Sequence, residues 1–200
     1  MPASPLVSAL EGSALSLTRL ELAAGEQARL GPGASDLLLY AAEGTATLRL
    51  AGADHALAAG GAALVLAGEE AVLAAGDGGA VLVRAEVAEE ADRHAPLGPR
   101  VPCVAPEEAG AEQATGARSF RVLLGPHNGS TRATLFLGYV PPGKAPWHYH
   151  LYDEIVWLPE GPARLHLPGE EPRELGPGAA FRLRPRQVHI VENTSPDRDL

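Results

Sequence analysis

Lysine, cysteine and methionine each occur once in this 200-residue chain, and aromatic residues make up only 4% of it. With Lys144 as the one lysine, Schiff-base catalysis has a single candidate and is disfavoured. Cys103 cannot form an intrachain disulfide, which fits a reducing compartment. It lies in "RVPCVAP", a proline-punctuated connector, and reads as an incidental thiol rather than a nucleophile. Positive charge is scarce as well: the net charge is -9 and no basic stripe occurs, which argues against a nucleic-acid footprint. No run of about 18 apolar residues could span a membrane. The opening "MPASPLVSAL" has neither a basic region nor a long apolar run, so no signal peptide is expected. The expectation is a cytoplasmic protein without nucleic-acid or membrane partners.

What the chain has is alanine, leucine and valine, punctuated throughout by 23 glycines and 18 prolines. Short alternating runs dominate: "ALSLTRLEL", "TATLRL", "AVLVRAEV", "RATLFLGYV", "ARLHL" and "AFRLRP". Each has strand length and turn-forming residues at its borders, which predicts an all-β fold. "PEEAGAEQA" (106–114) reads as one short helix or a polar linker. "GDGG" (76–79) reads as a hairpin turn, because no helix follows as a dinucleotide loop requires. Asn128-Gly129 signals a tight turn, with His127 a polar loop residue beside it. "GKAP" lacks the features of a phosphate loop, and no G-x-S-x-G elbow occurs.

The chain also repeats itself. "SDLLLYAAEG" (35–44) aligns with "YDEIVWLPEG" (152–161), matching Asp36 with Asp153, Glu43 with Glu160 and Gly44 with Gly161. "LAAGGAALVLAGEEAVL" (57–73) aligns with "LGPGAAFRLRPRQVHIV" (175–191) after a one-residue slip. Two copies of one β module are therefore expected, over 1–90 and 120–200, with a linker over 91–119. The copies differ where chemistry is concerned. Gly31, Gly33, Leu37 and Ala71 stand opposite His148, His150, Glu154 and His189, and eight of the nine aromatic residues lie between Phe120 and Phe181. Any chemistry belongs to the second copy.

"WHYHLYDE" (147–154) carries it. His148 and His150 are two apart, so on a strand both leave one face, about 7 Å apart at the backbone. Glu154 follows after a bend, and nitrogen and oxygen donors together suit a first-row divalent metal: iron, manganese, nickel, copper or zinc. Strand parity puts Val156 and Leu158 on the side of Glu154, and Gln187 and Val191 on that of His189; these four are the expected pocket lining. The same parity turns Trp147, Tyr149 and Trp157 outward. His166, alternating with leucines and matched by Arg49, is expected on a solvated outer face. His55 and His94 lack ligand-like company.

The order G-x4-HxH-x3-E-x6-G from Gly143 to Gly161 resembles the first motif of the cupin superfamily, one residue short between Gly143 and His148. "GAAFRLRPRQVHIVEN" (178–193) resembles the second, through Pro185, His189 and Asn193. It is also one residue short, and Gln187 stands where glycine is common. The resemblance implies a metal site of His148, His150, Glu154 and His189. It also implies a bicupin: two tandem jelly-roll β-barrels, the first degenerate and without metal ligands. Asn193 would hold the turn after the motif. The function implied is a metal-dependent enzyme acting on a small organic molecule, with dioxygenase-type chemistry favoured because no further acid–base pair shares the pocket side. A non-enzymatic cupin binding a sugar or metabolite is the alternative, and a cupin isomerase or hydrolase a further one. The edge left without a closing strand after "PDRDL" is expected to be covered by another segment, by a partner subunit or by further chain, and with the outward aromatics it makes a homodimer the expected assembly.

Overall fold

The computed structural model describes residues 4–7 and 14–200, so the signal-peptide reading of residues 1–10 falls partly outside the described residues. The chain divides into two compact units, Met1–Gly110 with Val122–Phe136, and Ala111–Arg121 with Leu137–Leu200. Strands make up nearly all the regular structure, as the alternating runs predict. Among the described residues, no helix is long and apolar enough to cross a membrane.

The first unit holds β1 (Ser4–Val7), β2 (Leu15–Leu22), β3 (Gln27–Leu30), β4 (Asp36–Leu50), β5 (Ala53–Ala58), β6 (Ala62–Val65), β7 (Ala71–Val87) and β8 (Cys103–Val104). They form one antiparallel sheet in the order β1-β2-β7-β4-β6-β8, with β3 also on β7 and β5 on β4. Its core is built from small aliphatic side chains. Leu39, Leu48, Leu64, Leu73 and Leu82 are fully excluded from solvent, each burial worth about 1.5–3 kcal/mol.

The two longest strands, β4 and β7, bend together. Their pairing runs from Gly44↔Ala80 to Ala46↔Ala75, so residues 76–79 bulge opposite Thr45. The expected hairpin turn at "GDGG" is therefore corrected to a bulge inside one continuous strand. Gly44 makes it feasible: it sits at φ +74°, and a Cβ there would meet the Gly79 carbonyl oxygen at 2.2 Å. Cys103 pairs opposite Ala63 and packs against the core; burial pushes its thiol up to about 11, which suits an inert residue.

The remaining strands are β9 (Ala111–Gln113), β10 (Ser119–Leu124), β11 (Leu135–Tyr139), β12 (Gly143–Lys144), β13 (Glu154–Trp157), β14 (Ala163–His166), β15 (Arg173–Leu175), β16 (Ala180–Leu183) and β17 (Ile190–Asn193). Residues 106–114 form neither one helix nor a plain linker. A 3₁₀ turn at Pro106–Glu108 precedes β9, which pairs with β10. A second 3₁₀ turn, Pro126–Asn128, ends at Gly129 in the left-handed region, the tight turn expected beside His127.

In the second unit, β12-β17-β14-β15 make one sheet and β13-β16 another. Ala163 and Leu165 of β14 and Phe181 and Leu183 of β16 share one core with Leu158 and Leu167, so the two sheets pack face to face. Asn193, 2% exposed, donates to the carbonyls of Val140 and Arg198 at 2.8 and 2.7 Å and accepts from Ser195 N at 2.9 Å. Val140 and Leu200 exchange two backbone hydrogen bonds beside it. Among the described residues the sheets are open, not the closed barrels expected. In the second unit β12–β17 are two to four residues long, and such short ladders interrupted by turns end before they meet.

The paired bend yields a stability prediction. Gly44→Ala should destabilise the protein by more than ~1 kcal/mol. Gly78→Ala, with nothing within 4 Å of the added Cβ, should change it by less than ~0.5 kcal/mol. Urea-unfolding midpoints of the two variants check this; equal midpoints would show that the bulge tolerates a side chain.

Candidate metal centre

Pro146 has no N–H and interrupts the ladder that begins with Gly143↔Asn193 and Lys144↔Glu192. Pairing resumes at one isolated bridge, His148↔His189. His148 N donates to His189 O at 3.2 Å, His189 N to His148 O at 2.9 Å, and Arg186 N to His150 O at 2.6 Å. Two imidazoles are thus brought opposite each other by the backbone. Alternation supplies the third: Trp147, Tyr149 and Leu151 are 53%, 56% and 72% exposed, while His148 and His150 between them are half-buried. Trp157 departs from the outward expectation and is half-buried.

The three rings converge. Their centroids lie 5.2 Å (His148–His150), 4.3 Å (His148–His189) and 5.3 Å (His150–His189) apart. One ring nitrogen of each falls within 4.8 Å of the other two. Backbone carbonyls settle two of the tautomers, since a carbonyl can only accept. His148 Nδ1 donates to Pro146 O and His189 Nδ1 to Gln187 O, both at 2.9 Å. Each Nε2 lone pair is left facing the cluster, the arrangement that orients a ligating imidazole. Burial, reinforced by His189, His148 and Arg118, holds His150 down to about 4. Burial also lowers His189, against the pull of the Gln187 carbonyl. Both rings are therefore neutral, with lone pairs available, at neutral pH.

Glu154 stands at the edge of this group. Its Oε2 lies 3.3 Å from His150 Nε2, but the set of mutually close ligand atoms contains the histidines without it. That oxygen is buried and makes no hydrogen bond, and burial pushes the carboxyl up to about 7. A buried carboxylate oxygen without a donor, beside imidazole lone pairs, is what a cation would satisfy. The residues present therefore fit a divalent ion. Asp153 next to it is clamped by Arg182, whose Nε and Nη2 each lie 2.7 Å from a carboxylate oxygen. This clamp joins the bend to β16, where Ile155 pairs with Arg182, and positions Glu154.

Leu158 belongs to the core of the second unit, with Val156 and Val191 packed against it. Gln187 Oε1 accepts from Arg184 N at 2.9 Å, closing the turn before His189. His166 is 8% exposed, and its Nε2 lies 2.6 Å from Glu192 Oε2. The expected solvated face is thereby corrected, because β14 runs in the sheet interior between β17 and β15. Two features were missed from sequence. The Tyr152 ring stacks on His150 at 4.9 Å and 17°. Arg118, from the segment read as a linker, brings Nη1 to 3.3 Å from His148 Nε2; thirty residues separate the pair, and no spacing rule links them.

Residues 136–200 match the family model described as "Cupin domain". No curated protein sequence matches the chain. Similar solved structures include a putative glyoxylate-induced protein from Pseudomonas aeruginosa, 18% identical, covering 98% of this chain and 77% of that one with a TM-score of 0.80. AerE from Microcystis aeruginosa is 10% identical over 98% of this chain and 94% of its own, with a TM-score of 0.77. A point mutant of the oxalate decarboxylase OxdC from Bacillus subtilis is 13% identical over 94% and 68%, with a TM-score of 0.73. The chain thus has a cupin fold, and the cupin-domain match falls on the residues that carry the histidine cluster.

Proposed function

We propose that His148, His150, His189 and Glu154 hold one first-row divalent ion (iron, manganese, nickel, copper or zinc), and that the protein is a metal-dependent enzyme acting on a small organic molecule. The observation that carries this is the convergence of three imidazoles beside a buried, donorless carboxylate oxygen. Bound there, the ion would supply Lewis-acid or redox chemistry. The chain's own residues do the rest. Pro146 O and Gln187 O keep the Nδ1 protons away from the cluster, and Glu154 gives up its proton as a cation arrives. Tyr152 covers one face of His150. OxdC, described as having Mn(II) centres, supports a metal-dependent reading. Dioxygenase-type turnover remains the favoured reaction type, because Glu154 is the carboxylate set against the rings and it is committed as a ligand.

In the same proposal the chain is a bicupin, with 1–90 the degenerate copy, 91–119 the linker and 120–200 the metal-binding copy. Supporting it, Gly31, Gly33 and Leu37, the counterparts of His148, His150 and Glu154, line a cavity of about 270 Å³ in the first unit. Val156, Leu158, Gln187 and Val191 are proposed to shape the pocket from behind, through core packing and turn closure. The exposed Trp147, Tyr149, Leu151 and Tyr152 support a homodimer; a monomer by light scattering at micromolar concentration would remove that part.

Elemental analysis of freshly purified protein should find about one first-row metal per chain, lost in His148→Ala. Iron, manganese, nickel or copper directs assays to oxygen chemistry, and zinc to isomerase or hydrolase substrates. No metal in either protein, even after reconstitution, would leave a non-enzymatic binding module instead. The raised Glu154 carboxyl gives a pH dependence with a definite sign. Below about 7 the carboxyl is protonated, so metal uptake at pH 6 should release about one more proton from the wild type than from Glu154→Gln. Above pH 8 the difference should vanish. Calorimetry in buffers of different ionisation enthalpy measures it; an equal release at pH 6 would remove Glu154 from the ligand set.

A further inference from the structure

From its placement we infer that Arg118 is the anion anchor of this site, and that the ligand taken there carries a carboxylate. The inference rests on the metal-site reading and narrows its substrate class. Arg118 is held by a short turn. Ala114 N donates to Arg118 O at 2.9 Å, Gly116 adopts φ +76°, and Ser119↔Gln113 and Phe120↔Glu112 continue the hairpin. The side chain is fastened back onto the same turn, with Nε donating to Thr115 O at 3.1 Å. That bond leaves Nη1 3.3 Å from His148 Nε2.

Charge then decides what those groups are for. Arg49, Arg164 and Arg182 each pair with a carboxylate, whereas Arg118 makes no ion pair among the described residues. The Glu154 carboxylate and a divalent ion sum to +1, and Arg118 raises the local charge to +2, in a chain whose net charge is -9. An anionic ligand is the missing complement. A metal ion and the guanidinium compete for the same His148 Nε2 lone pair. With the ion on it, Arg118 keeps its Thr115 bond and turns its fork to a ligand beside the ion. A planar fork matches a planar carboxylate through two parallel hydrogen bonds, which a lysine cannot reproduce.

The test uses the whole protein loaded with Co(II), titrated with acetate, with its neutral isostere acetamide, and with inorganic phosphate. Binding is read from the visible spectrum of the cobalt, and metal content is determined separately. The wild type should bind acetate in preference to acetamide and phosphate. Arg118→Met should keep its cobalt and bind acetate on the order of ten-fold or more weakly, and Arg118→Lys should recover part of the loss. Acetate binding unchanged in Arg118→Met would overturn the inference, as would equal binding of acetamide or preferred binding of phosphate by the wild type. Loss of cobalt from both Arg118 variants would make Arg118 a structural support of the cluster and overturn its role as anchor. A wild type that takes up no cobalt would instead show that the metal-site reading itself has failed.

Discussion

His148 and His189 face each other across a single backbone rung, each amide bonded to the other's carbonyl. Fixing two peptide units in this way sets the origin of both side chains before either ring chooses a rotamer. The third imidazole needs no separate device, because His150 is two residues from His148 and leaves the chain on the same side. Carbonyls of the same two segments, Pro146 and Gln187, then choose the protonated nitrogen. Backbone pairing thus determines position, direction and tautomer together.

Burial acts on this arrangement with one effect and two signs. It disfavours the charged state of every group it covers, lowering His150 and His189 and raising Glu154. Both kinds of group are shifted toward the neutral form, so the cluster offers imidazole lone pairs and a carboxyl that titrates near neutral pH. Asp153 nearby is paired with Arg182, whereas Arg118 beside His148 has no carboxylate partner among the described residues. The core beneath, from Leu158 to Leu183, keeps the two sheets in register under the site.

How much of this could be read from the sequence follows from the range of the interactions. Period-two alternation is local, so the inward histidines and the outward Trp147 and Tyr149 were legible. So was the turn at Asn128-Gly129, which needs only the left-handed freedom of its glycine. The bulge at residues 76–79 was not, because glycine clusters serve turns and bulges alike, and only the partner strand decides between them. His166 was misread for a related reason: its alternation with leucines was plain, but its burial depends on β17 lying alongside. Arg118 was invisible, since a tertiary approach across thirty residues leaves no periodic trace. Glu154 was found by its position in a motif, while its lack of a hydrogen-bond donor is a property of the folded surroundings.

The alternation from Trp147 to Leu151 makes the site unequally tolerant of two kinds of genetic change. A point substitution alters one side chain and leaves its neighbours facing as they did. A single-codon insertion or deletion between Pro146 and His150 would invert the facing of every residue up to the next bend, turning indole and phenol inward and imidazole out. Lineages carrying this site should therefore tolerate substitution on the outward rim more readily than any change in the length of this segment.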